Sequence, residues 1–149
     1  MAVSVKDLAL IISDLQNKNP ELFLCGSAAL ILAGYLDERV ISDIDFVLRA
    51  KDLKAIIGVS GLRKDRYPND VQDGYSSWHC SYKHCTINLL AFDDDNTSFD
   101  TETITHSGKT IEVQKVDDIL RWKKKYNRSK DIKDLNNIAN KLIEDLLVS

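Results

Sequence analysis

Within the first quarter of the chain, the spacing of apolar residues changes from a helical to a strand-like pattern and back to a helical one. Ser4 and the leucines and isoleucines that follow it at three- and four-residue intervals predict a capped amphipathic helix. This helix is expected to end at Asn17–Pro20, because the residue before a proline resists helical geometry. Leu22–Cys25 is a short apolar run typical of a buried strand. Gly26-Ser27 then leads into Ala28–Ala33, whose composition favours helix. The pattern therefore predicts a strand that turns through a glycine directly into a helix.

The middle of the chain is richer in strand-forming residues. Asp43–Leu48 alternates polar and apolar residues, which predicts a half-buried strand. Lys51–Val59 is predicted to be a helix that stops around Gly61. Two further strands are expected at Tyr75–Ser81 and Cys85–Phe92.

The last third begins with a hairpin pattern and then becomes helical. Thr101–Thr105 and Thr110–Val113 flank a turn that contains Gly108, and apolar residues recur at helical spacing from about Val116 onward. We find no internal repeat and no linker, so residues 1–149 are expected to form a single domain. The predicted class is α/β (α+β): a small mixed β-sheet flanked by helices, with a helical C-terminal segment.

Composition narrows the class of protein without identifying a function. Of the 149 residues, 44% are hydrophobic and 29% are charged, which is typical of a globular domain. A formal charge of -3 argues against a protein that coats nucleic acid, although a local basic patch could hold RNA or a triphosphate. The three cysteines are expected to be reduced, and neither a membrane-spanning run nor a signal-peptide pattern is visible. A cytoplasmic protein without a membrane partner is expected.

Two aspartates lie close together in the predicted strand Asp43–Leu48. Residues two apart on a strand face the same side, so the carboxylates of Asp43 and Asp45 should point together. Two like charges next to each other on a half-buried face cost free energy through repulsion and desolvation. A bound divalent cation usually compensates for this cost. Oxygen ligands of this kind suit magnesium or manganese. The alternative is two solvated aspartates on an edge strand.

A second feature precedes this strand. Gly26 allows a close approach of the backbone to a ligand, and a helix that begins here presents free N–H groups suited to phosphate. Taken together, the stretches Leu24–Gly34 and Glu38–Val47 resemble the signature of the polymerase-beta-type nucleotidyltransferase superfamily. In that signature a Gly-Gly or Gly-Ser pair precedes a helix, and an Asp-x-Asp strand follows. Arg39 and Ser42 are similar to residues of its minimal branch, which includes toxin–antitoxin and abortive-infection transferases.

The resemblance implies a fold, a reaction and a set of residues. Asp43 and Asp45 would bind Mg²⁺ or Mn²⁺, while Gly26, Ser27, Arg39 and Ser42 would bind the nucleotide. The substrate would be a nucleoside triphosphate, whose nucleoside monophosphate passes to a hydroxyl of RNA (a tRNA among them), protein or a small molecule. Pyrophosphate would be released.

The family's third carboxylate has no counterpart at the expected position. The strand Cys85–Phe92 aligns Asn88 with it, and an amide carries no charge and cannot act as a base. Three explanations stay open. The protein is a catalytically silent relative that still binds a nucleotide or RNA, as a binding or regulatory partner in a toxin–antitoxin or phage–host defence system. Otherwise the acid comes from Asp93–Asp95, or the alignment of the strand is wrong.

The C-terminal segment is similar to the last helices of minimal transferases. It contains a run of lysines followed by Arg128-Ser-Lys-Asp131-Ile-Lys-Asp134, and the resemblance assigns Lys124 and Arg128 as phosphate contacts. The alternative is a solvated helix face on which Asp131 and Asp134 pair with nearby lysines at helical spacing.

One hairpin also contains four residues of the kinds that bind zinc. His79 and Cys80 lie before a tight turn, and His84 and Cys85 lie after it. Because adjacent residues on a strand face opposite sides, these four side chains cannot converge on one ion without distortion. Core packing and surface histidines are the preferred interpretation.

Overall fold

A computed structural model describes residues 4–41, 43–65, 74–93 and 100–148 of the chain. Its helices are α1 (Val5–Lys18), α2 (Gly26–Leu32), α3 (Val116–Tyr126) and α4 (Ser129–Val148), with a 3₁₀ helix at Ala50–Ala55. Its strands are β1 (Phe23–Cys25), β2 (Asp43–Arg49), β3 (Ser60–Lys64), β4 (Tyr75–Tyr82), β5 (Cys85–Phe92), β6 (Thr101–His106) and β7 (Lys109–Gln114).

The described strands form one seven-stranded sheet in the order β3-β4-β5-β2-β1-β7-β6. β2 is parallel to β5, and β1 is parallel to β7, whereas the other neighbouring strands are antiparallel. The prediction of a mixed sheet with helices, including a helical C-terminal segment, is therefore confirmed.

β2 shows why the centre of the sheet forms where it does. Ile44, Phe46 and Leu48 are fully buried on one face of the strand, so the hydrophobic effect fixes which side faces the core. Asp43 is exposed and Asp45 half-buried on the opposite face. The strict period of two then places both carboxylates on the same polar surface.

The helix predicted at Lys51–Val59 is wrong in kind and length. The chain forms only the 3₁₀ helix Ala50–Ala55 and then becomes extended, with Gly58 at a positive φ of 83°. Strand β3 follows and was not predicted, because all five of its residues are exposed at the sheet edge. An edge strand without a buried face has no apolar alternation, so its sequence contains little signal.

The terminal helices follow the sequence more closely. Ser4 Oγ accepts a hydrogen bond of 3.2 Å from the Asp7 backbone N–H, which confirms the predicted N-cap of α1. Asn127, in the left-handed conformation at φ 52°, separates α3 from α4. None of the helices in the described ranges has the length and apolar character needed to span a membrane.

Candidate active site

A cavity of about 580 Å³ opens on the polar face of the sheet, beside β2. Its floor contains Asp43 and Asp45 from β2 and Asn88 from β5, and the Gly26–Ser27 turn forms one side. Helix α3 forms another wall. The volume lies within the range of small-molecule sites, which is about 300–1,000 Å³.

Asp45 lies against the turn that begins α2. Cys25 is paired with Asp45 in the β1–β2 register, so the next residue, Gly26, meets the carboxylate directly. A Cβ at position 26 would lie 2.5 Å from Asp45 Oδ2, and the φ of Gly26 is +66°. Only glycine combines this backbone conformation with such a close approach.

Asn88 is the immediate neighbour of Asp45 across the sheet. The parallel β2–β5 register pairs the two residues, and Asn88 Nδ2 donates a hydrogen bond of 2.9 Å to Asp45 Oδ1. Asn88 therefore lies beside the aspartate pair, and its match to the third carboxylate of the resembled family stays a prediction from the sequence. The amide N–H of Asn88 donates this hydrogen bond to Asp45. The amide oxygen carries no charge, but its lone pairs could bind a cation.

The electrostatics of Asp45 favour a bound cation. Burial raises the pKa of this carboxyl, and the hydrogen bond from Asn88 opposes the rise, as does the charge of Lys130. The described residues contain no cluster of three or more His, Cys, Asp or Glu side chains that could hold a metal ion by themselves. Two carboxylates and one amide oxygen fit a hard divalent cation that completes its shell with phosphate oxygens and water.

A network of charged groups links the C-terminal helix to the turn after β1. Asp134, on α4, has a side chain that is only 2% exposed. It accepts hydrogen bonds from Ser27 Oγ at 3.1 Å, Arg39 Nη1 at 2.7 Å and Lys123 Nζ at 3.0 Å. Arg39 Nη2 also donates to Ser27 Oγ at 2.7 Å. Ser27, Arg39 and Lys123 all line the cavity, so a single buried carboxylate fixes three groups at the side of the Gly26–Ser27 turn.

This network differs from the pairing expected along one helix face. Burial raises the pKa of Asp134, but the hydrogen bonds and charges of Arg39 and Lys123 outweigh it and lower the pKa to about 2. Asp131 accepts from Arg128 Nε at 2.7 Å and lies 3.6 Å from Lys123 Nζ. The cations that pair with Asp134 thus come from α3 and from the segment before β2, whereas Asp131 pairs with Arg128 three residues earlier and with Lys123 of α3.

The predicted nucleotide-binding residues do not all meet at the cavity. Gly26, Ser27, Arg39 and Arg128 line it, whereas Ser42 lies outside the described residues. Lys124 is exposed and is not among the described residues that line the cavity, and its neighbour Lys123 is buried there instead. The sequence contained a signal for this, since Lys123 follows Val116 and Ile119 on the inward face of α3, and Lys124 is rotated away.

Aromatic side chains form part of the wall, and sequence reasoning missed Trp122 and Tyr126 among them. Tyr75 stacks on Trp122 with ring centroids 5.5 Å apart, and Trp122 meets Tyr126 edge-on at 5.9 Å. Lys130 and Asp65 also line the cavity. Asp65 follows β3, a strand that the apolar pattern did not reveal, so no signal indicated its position.

Two further predictions concern an acid from Asp93–Asp95 and a zinc site on the β4–β5 hairpin. Asp93 is exposed at the end of β5 and is not among the described residues around the cavity, and residues 94 and 95 lie outside the described ranges. Cys80 and Cys85 are buried free thiols, and burial raises the pKa of Cys80 to about 11. Both side chains pack in the hydrophobic core, and the described residues contain no group of three or more His, Cys, Asp or Glu side chains that could hold a metal ion.

No protein-family model and no curated protein sequence matches the chain. Three solved structures share its fold. The lincosamide antibiotic adenylyltransferase LnuA, bound to lincomycin, superimposes with a TM-score of 0.65 at 15% identity over 93% of this chain and 98% of its own.

Two further solved structures have the same fold. A nucleotidyltransferase-like antigenic protein from Paracoccidioides brasiliensis has a TM-score of 0.55 at 18% identity, covering 93% of this chain and 78% of its own. A proposed nucleotidyltransferase from Thermotoga maritima has a TM-score of 0.58 at 14% identity, covering 92% of each chain. The chain thus has the fold of the nucleotidyltransferases, as its glycine turn and Asp-x-Asp strand predicted.

Proposed function

We propose that this protein is a magnesium-dependent nucleotidyltransferase that moves a nucleoside monophosphate from a nucleoside triphosphate to a hydroxyl group. One observation carries the proposal: the cavity places Asp43 and Asp45 beside the Gly26–Ser27 turn and among several cationic side chains. A fold alone does not determine an activity, so the chemistry of this cavity is the decisive support.

The cationic side chains suit a triphosphate. Arg39, Lys123, Arg128 and Lys130 line the cavity together with the hydroxyl of Ser27. Arg39 is held by two hydrogen bonds to Asp134 and one to Ser27, so its guanidinium is already oriented before a nucleotide arrives. A pre-oriented donor loses little conformational entropy on binding, which raises the affinity for the bound phosphates.

Asp43 and Asp45 would hold the cation, with the oxygen of Asn88 as a further ligand. Magnesium, when bound, supplies charge neutralisation for the phosphate oxygens. The chain itself orients the triphosphate: Gly26 leaves room at Asp45, and Ser27 and Arg39 hold the phosphates that leave as pyrophosphate. The acceptor hydroxyl then attacks the α-phosphorus from the opposite side.

The identity of the acceptor is open among RNA, protein and small molecules. The LnuA structure contains lincomycin, so a small hydroxyl compound is the first acceptor that we would test. The cavity volume of about 580 Å³ suits a nucleotide and a small partner better than a folded RNA surface. A cytoplasmic location remains a prediction from the sequence.

A second function is favoured by one residue. The resemblance predicts a carboxylate at the position of Asn88, and the Asn88 amide already donates a hydrogen bond of 2.9 Å to Asp45. A protein of this kind could bind a nucleotide without transferring it and serve as a regulatory partner in a toxin–antitoxin or phage–host defence system.

Calorimetric titration of each triphosphate, with and without magnesium, tests the proposal. We expect one or more triphosphates to bind only with the metal, and Asp45→Asn to weaken that binding by at least about tenfold, or about 1.4 kcal/mol. Asp93→Asn is the matched control, because it neutralises an exposed aspartate at the end of β5.

Each outcome has a distinct meaning. Metal-dependent binding lost in Asp45→Asn but kept in Asp93→Asn supports the site. Binding unaffected by either substitution would place the nucleotide elsewhere, and absence of binding by the wild-type protein would refute the transferase. Nucleotide binding with no transfer to any acceptor would favour the regulatory alternative.

A further inference from the structure

A polar row crosses the sheet from the aspartate pair toward the β3 edge. Asp45 pairs with Asn88, Asn88 pairs with His79 on β4, and His79 pairs with Arg63 on β3. Residues paired directly across strands project to the same face with Cβ atoms about 5 Å apart. The row therefore lies on the same polar surface as the cavity.

Asp65 lies beside the β3 end of this row, and the side chains of Ser77 and His79 both contact its carboxylate. Ser77 Oγ donates to Asp65 Oδ2, and His79 Nδ1 lies within hydrogen-bond distance of Asp65 Oδ1. Arg63 Nε donates at 2.6 Å to Nε2 of His79, which assigns the ring proton to Nδ1 and makes His79 the donor toward Asp65. The carboxylate is thus fixed in position, while 33% of the Asp65 side chain remains exposed.

The carboxylate of Asp65 belongs to the cavity and not to the outer surface alone. Asp65 and Ser77 line the same cavity as Asp43, Asp45 and Asn88. A backbone hydrogen bond of 2.9 Å from Asp65 N–H to the Ser77 carbonyl anchors the main chain at this point. Asp65 is therefore an acid on a paired backbone segment that faces the candidate site.

The strand order places this acid on the side where an acceptor must enter. β1 and the Gly26–Ser27 turn lie on one side of β2, whereas β5, β4 and β3 lie on the other. In phosphoryl transfer the attacking and leaving oxygens are roughly in line, on opposite sides of the phosphorus. If the leaving pyrophosphate lies toward Ser27, the attacking hydroxyl lies toward Asn88, His79 and Asp65.

We propose that Asp65 is the general base of the transfer, in place of the carboxylate that Asn88 does not supply. This inference rests on the proposed transferase function. The acceptor O–H gives its proton to an Asp65 oxygen as the acceptor oxygen forms a bond to the α-phosphorus. The bond between that phosphorus and the bridging oxygen of the β-phosphate breaks, and pyrophosphate leaves with its electron pair. Ser77 and His79 are positioning residues that hold the carboxylate toward the cavity.

The test separates nucleotide binding from turnover. Calorimetry with the magnesium complex of whichever triphosphate binds gives the affinity, and release of pyrophosphate gives the rate, first with water and then with lincomycin as the acceptor. We expect Asp65→Asn to bind the nucleotide within about twofold of wild type and to release pyrophosphate roughly 100-fold more slowly. Asp93→Asn is the control with unchanged rate and affinity.

A chemical rescue distinguishes a base from a structural residue. Asp65→Ala leaves space for a small carboxylate, so added formate should restore part of the rate in that variant but not in Asp65→Asn or Asp45→Ala. Ser77→Ala keeps the carboxylate and removes one of its hydrogen bonds, and a loss of about 3–10-fold in rate is expected. The Ser77 variant also tests the arrangement if the Asp65 variants fail to fold.

Four results would overturn the proposal. A wild-type rate in Asp65→Asn excludes the base, and so does a wild-type protein that binds nucleotide but releases no pyrophosphate with either acceptor. Loss of nucleotide affinity in Asp65→Asn would make Asp65 a binding residue instead. A wild-type protein that binds no triphosphate refutes the transferase itself, and calorimetry shows this before any rate is measured.

Discussion

Gly26 provides the sharpest test of the site geometry, because two separate costs meet at this residue. Its φ of +66° lies in the left-handed region, and a Cβ there would lie 2.5 Å from Asp45 Oδ2 and 3.2 Å from Asp45 Cβ. Gly26→Ala therefore combines backbone strain with a clash against the carboxylate that we assign to metal binding. We expect both the stability and the nucleotide affinity to fall.

The expected loss of stability can be divided between these two costs. An L-residue in the left-handed region costs about 1–2 kcal/mol. Overpacking against Asp45 adds about 1–3 kcal/mol, since the carboxylate must move away from Asn88 or the turn must shift. The free energy of unfolding should thus fall by about 2–5 kcal/mol.

Gly34→Ala is the matched control for the backbone cost. Gly34 also has a positive φ, +86°, but no atom of the described residues lies within 4 Å of a Cβ placed there. Urea denaturation of both variants should show a smaller loss for Gly34→Ala, of about 1–2 kcal/mol, with unchanged dependence on urea concentration. Calorimetry should show normal nucleotide affinity in Gly34→Ala and a strong loss in Gly26→Ala.

The comparison refutes the reasoning if the two variants behave alike. Equal losses of stability would mean that Asp45 does not press against position 26. A stable Gly26→Ala that still binds nucleotide with wild-type affinity would separate the turn from the site altogether.

Three further substitutions test the charges around the cavity. Asn88→Asp replaces a hydrogen bond to Asp45 with a third carboxylate, so the free energy of unfolding without metal should fall by about 1–3 kcal/mol, with a lower temperature of thermal unfolding. Magnesium should restore more stability than in wild type, and an unchanged response to magnesium would contradict the pairing. The pKa of Asp134 is lowered from 3.8 to about 2, so its contribution to the free energy of unfolding is complete above pH 3.8 and is lost as the pH falls toward 2. Acid unfolding of the wild type should show a loss of about 2 kcal/mol in this window, and Asp134→Asn should lack that loss. An equal dependence of stability on pH in the two proteins would argue against the ion network. Lys123→Gln should weaken nucleotide binding at least about tenfold, whereas Lys124→Gln on the outer face should change it less than about twofold, and the reverse order would restore the assignment made from sequence.

The local features of the site could be predicted from the sequence alone. A two-residue period placed Asp43 and Asp45 on one face, because a strand with one buried side has no freedom to rotate. The glycine after a short apolar run predicted a turn at which the backbone approaches a ligand. The structure shows a close approach of this turn to the Asp45 side chain, and the approach to a ligand stays a prediction. These features depend on neighbours within a few residues, so the amino-acid pattern contains them.

Contacts between remote segments were decided by the tertiary structure. Arg39 and Asp134 are 95 positions apart in the chain, and nothing in either neighbourhood specifies that they meet. The strand that contains Asn88 was predicted because it is an apolar run with a clear period, whereas Asp65 follows an exposed edge strand and was missed. Burial requires apolar residues at regular positions in central strands. Edge strands do not need this apolar pattern, because water can solvate either of their faces. The sequence by itself therefore determined the carboxylate pair and the turn, and only the packing of distant strands and helices decided which charges face them.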